Sequence, residues 1–187
     1  MNKRGVWGNI IVGFIIGIIV VGILSLVVII KPENSCSGIK EVLKIEMAEQ
    51  EIADSSNDVY DYYTLASNSY DISNYDMVIF YCEKSRTVST KYSDELRELK
   101  LDYSESEIEA IKLREQMIQI EIDALFSLYQ SCEYLESASR SYENENYAMG
   151  DANIDGQNRE ITRHDSLLDD YEELQVKYNR LRKEMLA

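Results

Sequence analysis

The chain has 187 residues, 34 acidic and 19 basic, for a formal net charge of −15. All the acids and 17 of the bases lie after residue 30, so the body of the chain carries −17. Such a body repels phosphate backbones and anionic headgroups, which argues against nucleic acid as a partner and reads as a solvated, soluble surface.

The first element is residues 6–30, VWGNIIVGFIIGIIVVGILSLVVII, without a charge or a proline. A helix of that length reaches roughly 37 Å, enough to cross a hydrocarbon core of ~30 Å. The sequence therefore predicts a single transmembrane helix. Lys3, Arg4 and the amino terminus precede it and only Lys31 follows closely, so residues 1–5 are expected in the cytoplasm and 31–187 outside. Trp7 falls at headgroup level. A cleaved signal peptide fits less well, because the apolar run is too long and no small-x-small site follows it. Asn9, Gly13 and Gly17 share one face of the span and form a candidate stripe for association with a second helix.

Residues 31–38 form a short linker containing Pro32, the only proline. Beyond it, apolar residues recur at helical intervals: Ile39, Leu43, Ile45, Ile52, Val59 and Ala66, then Ile108, Ile111, Ile118, Ile122, Leu125, Cys132 and Leu135. Near the C-terminus Tyr171, Leu174, Tyr178, Leu181 and Met185 step by three and four, the pattern of an a/d seam. Ser104 and Glu107 have the spacing of a capping box opening the third helix. Four helices are predicted, at about 38–71, 75–101, 104–144 and 147–185.

An offset of 72 residues exposes an internal repeat. Tyr62, Ala66, Ser67, Ser69, Tyr70, Asn74 and Tyr75 coincide with Tyr134, Ala138, Ser139, Ser141, Tyr142, Asn146 and Tyr147. Both copies cross a predicted turn. The expected fold is therefore all-α: an N-terminal transmembrane helix, then an acidic antiparallel four-helix bundle over 39–187, made of two repeated long helical hairpins at about 39–101 and 104–187. Tyr70 and Tyr142 are expected under the turns, with Tyr75 and Tyr147 clamping the returning helices.

Leu65-Ala66, Tyr70, Asn74-Tyr75-Asp76 and Val78 fall where tetratricopeptide repeats place Leu-Gly, Tyr, Gly-Asp-Tyr and Ala, so each turn resembles the inter-helix turn of that family. The resemblance covers about 25 residues per copy. It departs in helix length, in period and in lacking the repeat-ending proline. It implies a hairpin geometry rather than a peptide-binding solenoid.

Chemistry-bearing motifs are few. Asp151, Asn153 and Asp155, followed by Gly156, match the opening of a calcium loop, but Thr162 stands where the bidentate carboxylate belongs. A polar first turn of the fourth helix is the favoured reading and a calcium-binding bundle the minor one. His164 is the only histidine, and it aligns in the repeat with Tyr92, a packing or rim position. Cys82 and Cys132 fall at core-like spacings, whereas Cys36 lies beside the membrane as a candidate for an intermolecular disulfide. Adjacent acids such as Asp169-Asp170 point in different directions on a helix. No phosphate loop, nucleophile elbow or Cys/His cluster occurs, so no catalytic residue and no cofactor are assigned.

The 14 tyrosines concentrate near the two turns, where Tyr70, Tyr75, Tyr142 and Tyr147 serve hairpin packing or an interface. The expectation is a single-pass cell-membrane protein whose extracytoplasmic bundle is a non-enzymatic structural or interaction module, with a protein partner or a second copy of itself. The alternative is a ligand-sensing ectodomain signalling through a partner; four-helix sensor domains of chemoreceptors look similar in outline.

Overall fold

A computed structural model describes residues 36–103, 106 and 108–186. They form four long α-helices, and no strand occurs among the described residues: α1 Cys36–Asp71, α2 Tyr75–Tyr103, α3 Glu109–Glu143 and α4 Tyr147–Leu186. Among them no helix is long and apolar enough to cross a membrane. The apolar stretch 6–30, with Asn9, Gly13 and Gly17, lies outside the described residues.

The helix ends agree with the sequence at both turns and depart from it at the α2–α3 connection. There α3 starts at Glu109, five residues later than the spacing of Ser104 and Glu107 predicts, and those two residues lie outside the described set. Ile108 is the N-cap, in extended backbone (φ −74°, ψ 120°) with no side-chain cap, and its N–H donates to Ser106 Oγ at 3.3 Å. A serine two residues upstream thus satisfies an amide that a capping box would serve. At the other end, α1 takes up Cys36 and Ser37 from the predicted linker.

Short turns make consecutive helices antiparallel neighbours, and α3 and α4 lie closest together. Two glycines explain that approach. A Cβ at Gly156 would fall 2.6 Å from the Tyr134 ring, and one at Gly150 would fall 2.6 Å from the Tyr142 ring. Tyr134 and Tyr142 of α3 therefore lie against bare backbone of α4. Helices α1 and α2 approach through small residues instead: Ser85 Oγ donates to the Val59 carbonyl at 3.0 Å, while Ser89 Oγ reaches across to the Leu125 carbonyl of α3 at 3.3 Å. Among these buried serines, each hydroxyl that finds a carbonyl avoids the penalty of an orphaned donor.

The core runs the length of the bundle in three layers. At the root, where α1 begins, Val42, Ile45, Ala110, Ile111, Met117 and Tyr178 are buried together. The middle layer is Val59, Tyr92, Leu96, Leu99, Ile118, Ile122, Leu125 and Leu128. Beneath the turns Ala66, Val78, Cys82, Cys132 and Leu135 close the core. Of these buried apolar residues only Tyr178 comes from α4, whose other buried positions are Gly150, Gly156, His164 and Gln175. Its partly buried Ile154, Ile161, Tyr171, Leu174, Leu181 and Met185 pack against the three layers, so α4 docks through an apolar stripe as well as glycine seats and polar bridges.

Candidate functional site

The two turns are the same structure built twice. Ser73 N–H donates to Tyr70 O and Asn74 N–H to Ser69 O, both at 2.9 Å. Seventy-two residues on, Glu145 N–H donates to Tyr142 O at 3.0 Å and Asn146 N–H to Ser141 O at 2.9 Å. These are paired Schellman closures, and the residue they require in left-handed backbone is Ser73 in one copy and Glu145 in the other, each at φ 57°. Asn74 and Asn146 then accept from Val78 and Gly150 N–H as α2 and α4 begin.

This shared geometry brings all four predicted tip tyrosines to one end of the bundle. Tyr142 is the hub: its ring centroid lies 6.2 Å from Tyr70, 6.1 Å from Tyr75 and 6.1 Å from Tyr147, and Tyr70 and Tyr75 are themselves 6.1 Å apart. Such spacings are those of offset and tilted aromatic contacts. Tyr142 O–H donates to Asp151 Oδ1 at 2.6 Å, and that bond, more than burial, holds the hydroxyl well above the ordinary phenol range. Tyr70, Tyr75 and Tyr142 are half-buried, and Tyr147 is 62% exposed. Ile72 at 75% and Met149 at 53% add apolar surface to the same end. Its charged residues are Asp71, Asp76, Glu143, Glu145 and Asp151, all exposed.

The remaining predicted residues are placed differently. Asp151, Asn153 and Asp155 lie within α4, where Asp151 and Asp155 share a face one turn apart and Asn153 points to the opposite side, so the three do not converge as a loop would let them. Among the described residues no group of three or more His, Cys, Asp or Glu is arranged to hold a metal. Cys82 and Cys132 are free, buried and in contact in the layer beneath the turns; the bond to Cys132, with burial, pushes the Cys82 thiol up. The side chain of Cys36 lies outside the described set. His164 is buried, its Nε2 3.2 Å from Tyr60 Oη and its Nδ1 3.3 Å from Asp165.

A second polar assembly escapes the sequence reading. Where α1, α3 and α4 meet, Glu49 of α1 pairs with Arg114 of α3 through both carboxylate oxygens, and Arg114 also reaches Gln175 Oε1 of α4 at 3.4 Å and stacks on Tyr178 at 5.2 Å. Glu46 accepts from Tyr178 O–H at 2.7 Å and from Arg182 Nε at 2.6 Å. Deeper in, Tyr92 O–H donates to Glu121 at 2.6 Å; desolvation still pushes the Glu121 carboxyl above its ordinary range, with Tyr92 and Arg114 opposing it. Nearer the turns, Tyr63 Oη bonds Ser131 and accepts from Gln157, both at 3.0 Å. Each of these charged or polar groups has a partner inside the protein, so together they fasten the four helices to one another.

Fold and geometry thus define an all-helical bundle of four helices with two matching turns at one end, where aromatic residues gather. No family model, curated protein or solved structure matches the chain.

Proposed function

We propose that the protein is a single-pass, membrane-anchored interaction module without enzymatic activity, its bundle held on the extracytoplasmic face and the paired turns serving as its working surface. The observation that carries this reading is the exposure of the tyrosine cluster and of Ile72 and Met149 at the end of α1 farthest from residues 6–30. Helix α1 has 36 residues and so spans about 54 Å, which sets the turns well away from a bilayer that holds 6–30. The charge asymmetry around that apolar stretch supports the orientation.

The test has two parts. In intact cells carrying the protein as Cys36→Ser with Asn68→Cys, a membrane-impermeant maleimide should label position 68 before lysis, and the protein should resist extraction at alkaline pH. Extraction would overturn the anchor, and labelling only after lysis would overturn the orientation. Mild-detergent purification from native membranes should then yield a stoichiometric second chain. A clean monomer would overturn the interaction role and favour ligand sensing.

A further inference from the structure

We infer that the end formed by the two turns docks a partner protein that presents arginine or lysine side chains among aliphatic ones. The inference rests on the interaction-module reading and names the partner class for the same surface.

Three features of this end converge. The first is apolar: Ile72, Tyr147 and Met149 stand more than half exposed at the end where the rings of Tyr70, Tyr75 and Tyr142 meet, and Tyr147 contacts Tyr142. Single exposed apolar residues are ordinary, but several at one end of a bundle beside an aromatic cluster mark a contact surface. The second is charge. Asp71, Asp76, Glu143, Glu145 and Asp151 are exposed at the same two turns, Asp151 bonded to Tyr142, and residues 70–76 and 141–151 contain no lysine or arginine. The nearest base in sequence, Arg140, is held by Glu136 at 2.7 Å. The third is chemical: tyrosine faces attract guanidinium and ammonium groups, and a methionine adapts to irregular aliphatic surface.

Charge then selects among occupants. A second copy would bring five like charges against these five, and an anionic headgroup surface would be repelled in the same way. A small free cation would leave Ile72 and Met149 uncovered. A protein segment with alternating basic and aliphatic side chains satisfies both the acids and the exposed apolar residues, with cation–aromatic contacts at the rings.

The probe is a fluorescent peptide of about 12 residues in which arginine and leucine alternate, with a twin carrying glutamate for arginine. Anisotropy is read against purified full-length protein in mild detergent, at about 50 and 300 mM NaCl. The arginine peptide should bind, weaken with salt and outcompete its twin. Ile72→Ser with Met149→Ser, and separately Asp71→Asn with Asp76→Asn and Glu145→Gln, should each weaken binding by roughly tenfold. The control Asp169→Asn with Asp170→Asn and Glu172→Gln removes three exposed acids far along α4 and should leave binding unchanged. Circular dichroism confirms that each variant is folded. No binding, equal binding of the twin, or equal loss in the control would overturn the inference. The assay does not depend on topology, so failure here with anchoring intact removes the docking inference alone. Failure of the extraction test with peptide binding intact removes the anchor alone.

Discussion

Gly156 of α4 lies directly against the ring of Tyr134 of α3, so close that a Cβ there would meet two ring carbons at 2.6 Å. Gly156→Ala therefore sets two effects against each other. Alanine gains about 1 kcal/mol of helix propensity over glycine, and forcing a methyl into an occupied site costs about 1–3 kcal/mol. The clash should win, giving a net loss of about 1 kcal/mol in urea unfolding. In a Tyr134→Ala background the sign should invert, because the ring is gone and only the propensity gain remains. A double-mutant cycle showing no coupling between the two positions would mean that the ring is not seated as described.

The two turns offer the opposite opportunity. Ser73 and Glu145 hold left-handed backbone that strains a residue with a Cβ by about 1–2 kcal/mol. Ser73→Gly and Glu145→Gly should each stabilise the protein by a net ~0.5–1 kcal/mol after the greater chain entropy of glycine is subtracted. Because the closing bonds from Ser73 and Asn74 match those from Glu145 and Asn146, the two gains should be similar and additive. A gain at one turn and a loss at the other would deny their equivalence.

The repeat made much of this end legible in advance. Identities at Tyr70/Tyr142, Asn74/Asn146 and Tyr75/Tyr147 place two identical turns, and short turns force them to the same end of the bundle. Their mutual contact was not legible, because it depends on how α3 packs against α1 and α2 and so brings Tyr142 onto Tyr70 and Tyr75. The polar seam was legible in principle. Ile111, Arg114, Ile118, Glu121, Leu125, Leu128 and Cys132 step by three and four, so Arg114 and Glu121 stand in the apolar seam itself. A charge in that register signals a buried partner, but one sequence does not say that the partner of Arg114 is Glu49. The late start of α3 was illegible because the capping-box pattern at Ser104 was a plausible rival to the cap that forms.

Arg114 and Glu49 are 12% and 14% exposed at their side chains, a nearly buried pair. Removing one partner strands the other charge, which costs about 3–5 kcal/mol in such settings. Arg114→Met should show this loss, and Arg114→Met with Glu49→Leu should recover most of it. If the double variant is as unstable as the single one, the other contacts of Arg114, to Gln175 and to the Tyr178 ring, carry more of its effect than the ion pair.

Cys82 and Cys132 are buried beneath the turns and the Cys82 thiol is pushed up, so thiolate is scarce and access is blocked. In a Cys36→Ser background, native protein should react with an aromatic disulfide reagent only slowly, and both thiols should react at once in strong denaturant. Rapid reaction of the native protein would show that the layer under the turns opens readily.

Acidity at the centre of the bundle should act against the usual direction. Desolvation raises the Glu121 carboxyl above its ordinary value of 4.5 in the folded state, so the native protein holds that proton more tightly than the unfolded chain. Between the ordinary value and the raised one the native state binds more protons, and the Glu121 contribution to stability falls as pH rises. The carboxyl is thus a penalty at neutral pH that acidification relieves. Glu121→Gln keeps an oxygen for the Tyr92 hydroxyl and removes the titrating group. It should raise stability at neutral pH and flatten this part of the pH profile. Surface acids paired with bases give the opposite slope: the Lys177 ammonium holds the Glu173 carboxyl down, a contribution lost as pH falls. The difference between parent and Glu121→Gln profiles therefore isolates the buried group. A variant less stable than the parent at neutral pH, with the gap closing toward acid, would show that Glu121 is held as a stabilising anion by Arg114 and Tyr92 rather than penalised by its burial.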